Sequence, residues 1–189
     1  MAIKYFAPLM LDDYKLRHHE QYPQDTTEVY SNMTARSGKL SNITNNKGVV
    51  FFGLQLFILD YLIDDWYDHF FNVDVEEVLA LYSSDSGMKL SELEHIRNLH
   101  KLGYLPLEIK ALSEGSYVPY GIPFLTIRNT HPEFAWLTNS IESVLSTELW
   151  PMIAAITTTA EYLRVFNYYA ELTGSSKEAV PYQAHNFAF

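Results

Sequence analysis

The stretch HPEFAWLTNSIESVLSTELWPMIAAITTTAEYLRVFNYYAELTG, from His131 to Gly174, decides the fold. Its apolar residues recur at steps of three and four, which is the spacing of one face of an amphipathic helix. Trp150–Pro151 interrupts the pattern, because proline removes an internal hydrogen bond and restricts the residue before it. We therefore predict two helices in series, with Pro132 in the first turn of the first helix and Gly174 capping the end of the second.

The run from Leu149 to Ala160, inside this stretch, contains no charged residue. It is too short to span a bilayer, so we expect it to be buried in protein. A helix that is dry on most sides needs a sheet or other helices around it.

The composition indicates a folded protein. Of the 189 residues, 48% are hydrophobic and 15% aromatic, which supplies a sizeable core and argues against disorder. The lack of cysteine excludes a disulfide framework, a thiolate zinc site and a cysteine nucleophile. The N-terminus is a poor secretory signal and the apolar tracts are too short to cross a membrane. We expect a cytoplasmic protein without a membrane partner.

The charge disfavours nucleic acid as a partner. The formal net charge is −10, and the 13 Lys and Arg residues are scattered, whereas non-specific nucleic-acid binding draws on clustered cations. An anionic substrate stays compatible with this charge if a few placed Arg or Lys residues build a local site.

Short strands supply the predicted sheet. Residues 29–36 alternate with a period of two, and VVFF at 49–52 is a brief apolar run that ends at Gly53. The runs LEIKAL, SYVPYGIP and FLTIRN, within 107–129, are separated by turn residues. Combined with the long helices, they predict an α+β fold with helices packed on a small mixed sheet.

An apolar stripe predicts a further helix over Leu54–Phe71, which contains the motif DDWYD. Aspartates spaced like Asp64, Asp65 and Asp68 hold magnesium–diphosphate in isoprenoid synthases. Those enzymes need an all-helical bundle and a second acidic motif, and this sequence shows neither. We interpret DDWYD as a solvated helix end.

Other helix boundaries carry cap signals, because short polar side chains and glycine satisfy the unpaired backbone groups at helix ends. The predicted caps are Asp12 or Asp13 before a short helix at DDYKLRHH, Asp74 before VEEVLALY, Ser91 with Glu94 as a capping box, and Gly103 as the end of the helix that follows.

A few polar and aromatic residues are candidates for a site, although each also has a simpler explanation. Arg36 precedes a polar loop, where an arginine can fork onto phosphate oxygens. Flat rings such as Tyr14 and Phe187 can sandwich a planar heteroaromatic ligand. Adjacent His18 and His19 point in different directions on a helix, so we interpret them as a surface cluster and not as metal ligands. Taken singly, Arg36 is better explained as exposed and each aromatic as a core residue.

The order of several segments is familiar. The stretches DDYKLRHHEQYP, EVYSNMTAR, FFGLQ, LPLEIKALSEGSYVPYG, NTHPEFAWLTNSIES and AHNFAF follow one another over nearly the whole chain. In these the chain resembles the N-terminal part of the nicotinamide phosphoribosyltransferase family, with least similarity between residues 67 and 100. The resemblance implies transfer of phosphoribosyl from 5-phosphoribosyl 1-diphosphate to nicotinamide. The products are nicotinamide mononucleotide and diphosphate, in NAD salvage.

The resemblance also implies an architecture and an assembly. The expected fold is that of a type II phosphoribosyltransferase, in which residues 1–150 form the N-terminal α+β domain. Residues 151–189 form a long helix and the first strand leading into an irregular α/β barrel, which is largely missing. Family members are homodimers with active sites at the interface, and Mg²⁺ accompanies the donor's diphosphate.

Four residues match family positions. The resemblance implies that Tyr14 enters the base pocket of the partner subunit, and that Phe187 stacks on the other face of nicotinamide. It assigns Arg36 to the phosphates of the donor and Asp12 to an acidic position near the pocket. No catalytic residue falls within the chain, because the family's catalytic histidine lies in the barrel.

The match is incomplete at its end. The family pattern after the histidine is Asp-Phe-Gly-Tyr-Arg, where this sequence has Asn186-Phe187-Ala188-Phe189. We therefore expect the 189-residue chain alone to be inactive. Two alternatives stay open: a phosphoribosyltransferase that prefers nicotinate, and a non-catalytic stand-alone binding or dimerisation module derived from the family.

Overall fold

A computed structural model describes residues 6–43 and 46–183 of the chain. Five strands are described: β1 (Tyr30–Thr34), β2 (Gly48–Val50), β3 (Leu107–Ala111), β4 (Tyr117–Pro119) and β5 (Pro123–Asn129). The α-helices of the same ranges are α1 (Leu54–Phe57), α2 (Val75–Ser86), α3 (Glu94–Leu102), α4 (Leu137–Ser140) and α5 (Glu142–Thr173). Short 3₁₀ segments are Ala7–Leu9, Asp13–Glu20, Leu90–Glu92, Pro132–Phe134 and Lys177–Tyr182.

The strands form two small sheets. One has the order β1-β5-β3, and its β3 and β5 run antiparallel with Leu107 opposite Asn129 and Ala111 opposite Leu125. The other pairs β2 with β4, also antiparallel. Helices and small antiparallel sheets in one chain confirm the predicted α+β class.

The described chain divides into two compact units. The first comprises the described residues of 1–32, 54–111 and 125–148, and the second those of 33–53, 112–124 and 149–189. Leu79, Leu93 and Leu137 are fully buried in the first unit. In the second unit, the rings of Phe51 and Phe124 stack with centroids 5.1 Å apart. The predicted boundary at residue 150 stays a prediction.

The helix predicted over Leu54–Phe71 is confirmed, but most of it has the wider π-helical turn. α1 continues as the π segments Ile58–Asp65 and Tyr67–Phe71. Tyr61, Trp66 and Phe70 are buried, and the step from Tyr61 to Trp66 is five residues instead of four. The wider turn therefore keeps aromatic rings on the core side, while Asp64 and Asp68 of DDWYD stay exposed.

The prediction of two helices separated at Pro151 is wrong. The break falls at Ile141, between α4 and α5, and α5 continues through Pro151. An interior proline costs about 3 kcal/mol. Leu149 and Ile153 on either side are fully buried, and burying each such side chain contributes about 1.5–3 kcal/mol. Their packing is sufficient to offset the proline.

The uncharged run Leu149–Ala160 is not buried on most sides, contrary to the prediction. Within it, only Leu149, Ile153 and Thr157 are buried, which is one face at steps of four. The threonine hydroxyls donate back to their own helix, from Thr157 Oγ1 to the Ile153 carbonyl at 2.6 Å. A run without charge can therefore be partly exposed, because its polar groups are satisfied locally.

The caps were predicted with mixed success. Asp74 caps α2 by accepting from the Glu76 N–H at 2.9 Å, as predicted. Gly103, with φ of 82°, ends α3, and Gly174 follows the end of α5. The Ser91–Glu94 capping box is wrong, since Glu92 instead accepts from the Lys89 N–H at 2.8 Å. That bond belongs to the 3₁₀ turn Leu90–Glu92, which Leu93 separates from the start of α3 at Glu94.

The described residues include no helix whose length and apolar character would allow it to cross a membrane.

Candidate functional site

Asp12 lies where the 3₁₀ helix Asp13–Glu20 begins, with extended backbone angles of φ −66° and ψ 136°. An aspartate in this position commonly accepts from the first free N–H groups of its own helix. Of the two predicted caps, Asp12 or Asp13, Asp12 takes the cap position, but its side chain makes no capping hydrogen bond. Its carboxylate turns instead towards the start of α5.

Ser143, in the first turn of α5, holds that carboxylate. Ser143 Oγ donates to Asp12 Oδ2 at 2.5 Å, and the Asp12 N–H reaches back to Ser143 Oγ at 3.3 Å. The hydrogen bond from Ser143, followed by the charge of Lys15, lowers the pKa of Asp12 below its ordinary value. Asp12 is therefore a fixed, ionised carboxylate on the surface of the first unit.

Lys15 lies beneath this carboxylate and is only 5% exposed. Its Nζ is 3.4 Å from Glu142 Oε2 and 3.7 Å from Asp12 Oδ2. It also lies 5.9 Å from the ring centroid of Tyr14. A buried ammonium needs such partners, because its transfer out of water is costly when it is unpaired. Lys15 therefore links the two predicted site residues of this region.

Tyr14 presents its ring to solvent, with 64% of the residue exposed. Its hydroxyl donates to Asp12 Oδ2 at 3.3 Å, and its ring lies 5.2 Å from that of His18. Desolvation of the hydroxyl and the nearby Asp12 charge raise the pKa of Tyr14 above its ordinary value. The result is an exposed aromatic face beside a carboxylate, which can stack on a planar ring and accept a hydrogen bond.

Arg36 belongs to the second unit and is exposed. The structure shows no ion pair or hydrogen bond from its guanidinium to any described residue. The backbone beside it is held, since the carbonyl of Ala35 accepts from the Gly121 N–H at 2.9 Å. Among the described residues, Arg36 is thus a cation without a partner, on a backbone that is held in place beside it.

The structure brings together two of the four predicted residues. Asp12 and Tyr14 are in hydrogen-bond contact within the first unit. Arg36 is described in the second unit, and Phe187 lies outside the described residues. The sequence prediction missed Ser143 and Lys15. Both stand in segments that carried the resemblance, Ser143 in NTHPEFAWLTNSIES and Lys15 in DDYKLRHHEQYP, but no signal in the sequence marks Lys15 as buried.

The acidic and histidine motifs are arranged differently from a metal centre. His19 stacks on His95 with ring centroids 3.7 Å apart, and His69 Nδ1 pairs with Asp65 at 2.9 Å. Within 6–43 and 46–183, no group of three or more His, Asp or Glu residues is placed to hold a metal ion. These ranges therefore do not supply a protein site that fits Mg²⁺.

Comparison with known proteins decides the family. The family model described as the N-terminal domain of nicotinamide phosphoribosyltransferase matches residues 7–109. The chain belongs to the nicotinamide phosphoribosyltransferase family. A nicotinamide phosphoribosyltransferase of Acinetobacter baylyi is 47% identical over 94% of this chain, and one of Mycoplasma pneumoniae is 27% identical over 95%.

The chain spans only 36% of the length of the Acinetobacter relative and 43% of the Mycoplasma one. It matches the N-terminal part of these relatives. Among solved structures, human nicotinic acid phosphoribosyltransferase covers 83% of this chain, with a TM-score of 0.57 and 17% identity. At that identity the likeness shows a shared fold, that of a type II phosphoribosyltransferase, and nothing further.

Proposed function

We propose that this chain is the N-terminal part of an enzyme that transfers phosphoribosyl from 5-phosphoribosyl 1-diphosphate to nicotinamide. The products would be nicotinamide mononucleotide and diphosphate, a step of NAD salvage. Family membership supports the reaction class. The single structural observation that supports a role in substrate binding is the exposed Tyr14 ring beside the fixed Asp12 carboxylate.

In this proposal the chain binds and orients the base. Tyr14 stacks on one face of nicotinamide and Phe187 on the other, while Asp12 lies at the edge of the pocket. The ring nitrogen then attacks the anomeric carbon of the donor, as the bond from that carbon to the diphosphate oxygen breaks. Such positioning can supply several kcal/mol of rate enhancement, and each aromatic contact about 0.5–1.5 kcal/mol beyond its buried area.

Arg36 would bind the phosphates of the donor. Its guanidinium has no partner among the described residues and can form two parallel hydrogen bonds to phosphate oxygens. Negative charge builds on the departing diphosphate, so a fixed cation there stabilises the transition state. Mg²⁺ would accompany the diphosphate of the donor.

The proposed assembly is a cytoplasmic homodimer with active sites at its interface. The resemblance to the family supports this assembly, and the exposed ring of Tyr14 is accessible to a second surface that would complete the pocket. The residues that would perform catalysis lie outside this chain, so the chain alone should be inactive.

Subunit mixing in the longer protein tests the shared site. Tyr14→Ala and Phe187→Ala should each weaken nicotinamide use about tenfold or more, at the upper end of stacking contributions in a closed site. If Tyr14 acts across the interface, mixed dimers of the two variants regain one intact site. A mixture no more active than either parent would show that Tyr14 serves its own subunit. Tyr104→Ala, which removes another exposed tyrosine of the first unit, is the matched control.

A second variant tests the donor site. Arg36→Ala should raise the Michaelis constant for 5-phosphoribosyl 1-diphosphate and leave that for nicotinamide nearly unchanged. Arg164→Ala is the control, since Arg164 is exposed and paired with Glu161. Equal effects on both substrates would remove Arg36 from the phosphate site.

The same assays separate the alternatives. A higher kcat/KM for nicotinate than for nicotinamide would identify a nicotinate-preferring enzyme. An absence of turnover with either base, in the presence of donor and Mg²⁺, would favour a non-catalytic binding or dimerisation module.

A further inference from the structure

The carboxylate of Asp12 is held by groups from two parts of the first unit. Ser143 approaches it from α5, and Lys15 from the 3₁₀ helix that Asp12 precedes. We propose that Ser143 and Lys15 are positioning residues for the nicotinamide pocket, fixing Asp12 and through it Tyr14 without touching the substrate. This inference rests on the proposed function of Asp12 and Tyr14.

The contacts converge on one oxygen of the carboxylate. Ser143 Oγ at 2.5 Å, the Tyr14 hydroxyl at 3.3 Å and Lys15 Nζ at 3.7 Å all face Oδ2. No described residue donates a hydrogen bond to Oδ1. The arrangement therefore uses one oxygen for support and leaves the other oriented and open to accept a hydrogen bond from a ligand.

Ser143 prevents Asp12 from adopting a competing arrangement. Without the serine, the aspartate is free to cap its own helix, which is the usual fate of an aspartate at this position. The two hydrogen bonds between Asp12 and Ser143, 131 residues apart in sequence, prevent this. A hydrogen bond from α5 fixes the orientation of the Asp12 carboxylate, which a binding site needs. A capping bond would instead stabilise only the helix that Asp12 precedes.

Lys15 supports Tyr14 and Asp12 together. Its buried Nζ places a positive charge under the Asp12 carboxylate and over the face of the Tyr14 ring, and the Glu142 carboxylate balances it. A cation near an aromatic face is attracted by the ring. Displacing Lys15 would therefore release the carboxylate and the ring at once.

The first experiment measures nicotinamide kinetics of Ser143→Ala in the longer enzyme. The variant lacks the hydrogen bond from Ser143 to the charged Asp12 carboxylate, so this carboxylate is less well oriented in the pocket. We expect the KM for nicotinamide to rise about tenfold. Because Ser143 does not contact the reacting atoms, kcat should change by no more than about twofold. Ser143→Thr keeps the hydroxyl and should restore KM. Ser146→Ala is the matched control, since Ser146 lies one turn further along α5 and its hydroxyl donates to the Ser143 carbonyl.

The second experiment follows the carboxyl carbon of Asp12 by NMR titration of the 189-residue chain. Ser143→Ala should raise the pKa of Asp12 towards its ordinary value, and Ser143→Thr should not. Lys15→Met should also raise it, with Lys101→Met, an exposed lysine of α3, as its control. Should Lys15→Met fail to fold, the serine variants still decide the inference.

The outcomes separate this inference from the proposed function. If Asp12→Ala and Tyr14→Ala leave nicotinamide kinetics unchanged, the proposed pocket is wrong. If they impair nicotinamide use while Ser143→Ala and Lys15→Met do not, the positioning role is overturned and the pocket stands. A double variant, Asp12→Ala with Ser143→Ala, should be no worse than Asp12→Ala alone, and full additivity would also overturn the positioning role.

Discussion

The two ends of helix α5 differ in how well the chain covers them. At the anchored end, residues 142–149, apolar side chains such as Val144, Leu145 and Leu149 are buried. At the exposed end, residues 162–172, large apolar side chains face solvent: Tyr162, Phe166, Tyr168, Tyr169 and Leu172. Large apolar side chains of the same helix are thus buried at one end and exposed at the other, so the hydrophobicity of a side chain alone does not predict its burial.

The difference has a bearing on function. The anchored end carries Ser143 and Glu142, which contact Asp12 and Lys15. A site residue is oriented well only if its support is itself locked by packing. The exposed end presents several large apolar side chains to solvent, and contiguous apolar surfaces on proteins usually mark interaction sites. The predictions below test this contrast by comparing matched side chains.

The largest expected effect is the loss of a buried leucine at the anchored end. Leu149 is 0% exposed, so Leu149→Ala should lower the free energy of unfolding by about 2–5 kcal/mol. Leu172, at 67% exposed, is the matched control, and Leu172→Ala should change it by less than about 0.5 kcal/mol. Urea unfolding of the two variants measures this, and similar losses would refute the contrast between the ends.

The next effect is acid sensitivity at His95 of α3, whose ring contacts Trp136 shortly before the anchored end. Burial, followed by the neighbouring His19, lowers the pKa of His95 to about 3, and its ring packs edge-on against Trp136. The folded state therefore favours neutral His95. Its contribution to stability is complete above the unfolded pKa of about 6.5 and is lost as the pH falls from there towards 3.

Between pH 7 and pH 5 the free energy of unfolding should fall by about 2 kcal/mol, since each pH unit below 6.5 contributes about 1.4 kcal/mol. His95→Gln should flatten this part of the curve. The comparison needs unfolding curves at several pH values. A slope unaffected by His95→Gln would mean that another group controls it.

A smaller effect is expected in the middle of α5. Thr157 Oγ1 accepts from the Val50 N–H at 2.9 Å, which joins the helix to β2 in the second unit. Thr157→Val keeps the shape and leaves this N–H without its partner, so it should cost about 1–3 kcal/mol. Thr158→Val removes only a hydroxyl bonded to the Ala154 carbonyl of its own helix, and should cost less. Equal losses for the two variants would contradict the role given to Thr157.

Local signals in the sequence predicted most of the secondary structure. The alternation of residues 29–36 predicted β1, and the aspartate before VEEVLALY predicted the cap that the Glu76 N–H confirms. Where prediction failed, contacts from elsewhere in the chain overrode a local rule. Proline at 151 does not end its helix, because Leu149 and Ile153 are buried around it.

The candidate site was predicted only in part. Tyr14, Asp12, Arg36 and Phe187 came from a resemblance to the family, and the structure joins Tyr14 to Asp12. Ser143 and Lys15 gave no signal of their own, because a serine in a helix or a lysine beside an aspartate is common on any surface. Two structural facts distinguish them: Ser143 bonds to Asp12, 131 residues away in sequence, and Lys15 is buried.

The sequence by itself determined the α+β class, most helix and strand positions and membership of the nicotinamide phosphoribosyltransferase family. These properties depend on residue type at short spacing, or on segments in a fixed order, and both can be read along the chain. Only the tertiary structure decided that the Asp12 side chain accepts a hydrogen bond from Ser143 instead of capping its own helix. The same holds for the stacking of His19 on His95 and for the continuation of α5 through Pro151. Each of these depends on groups that are distant in sequence and adjacent in space. The periodicity of residue types along the chain does not indicate which distant residues form such pairs.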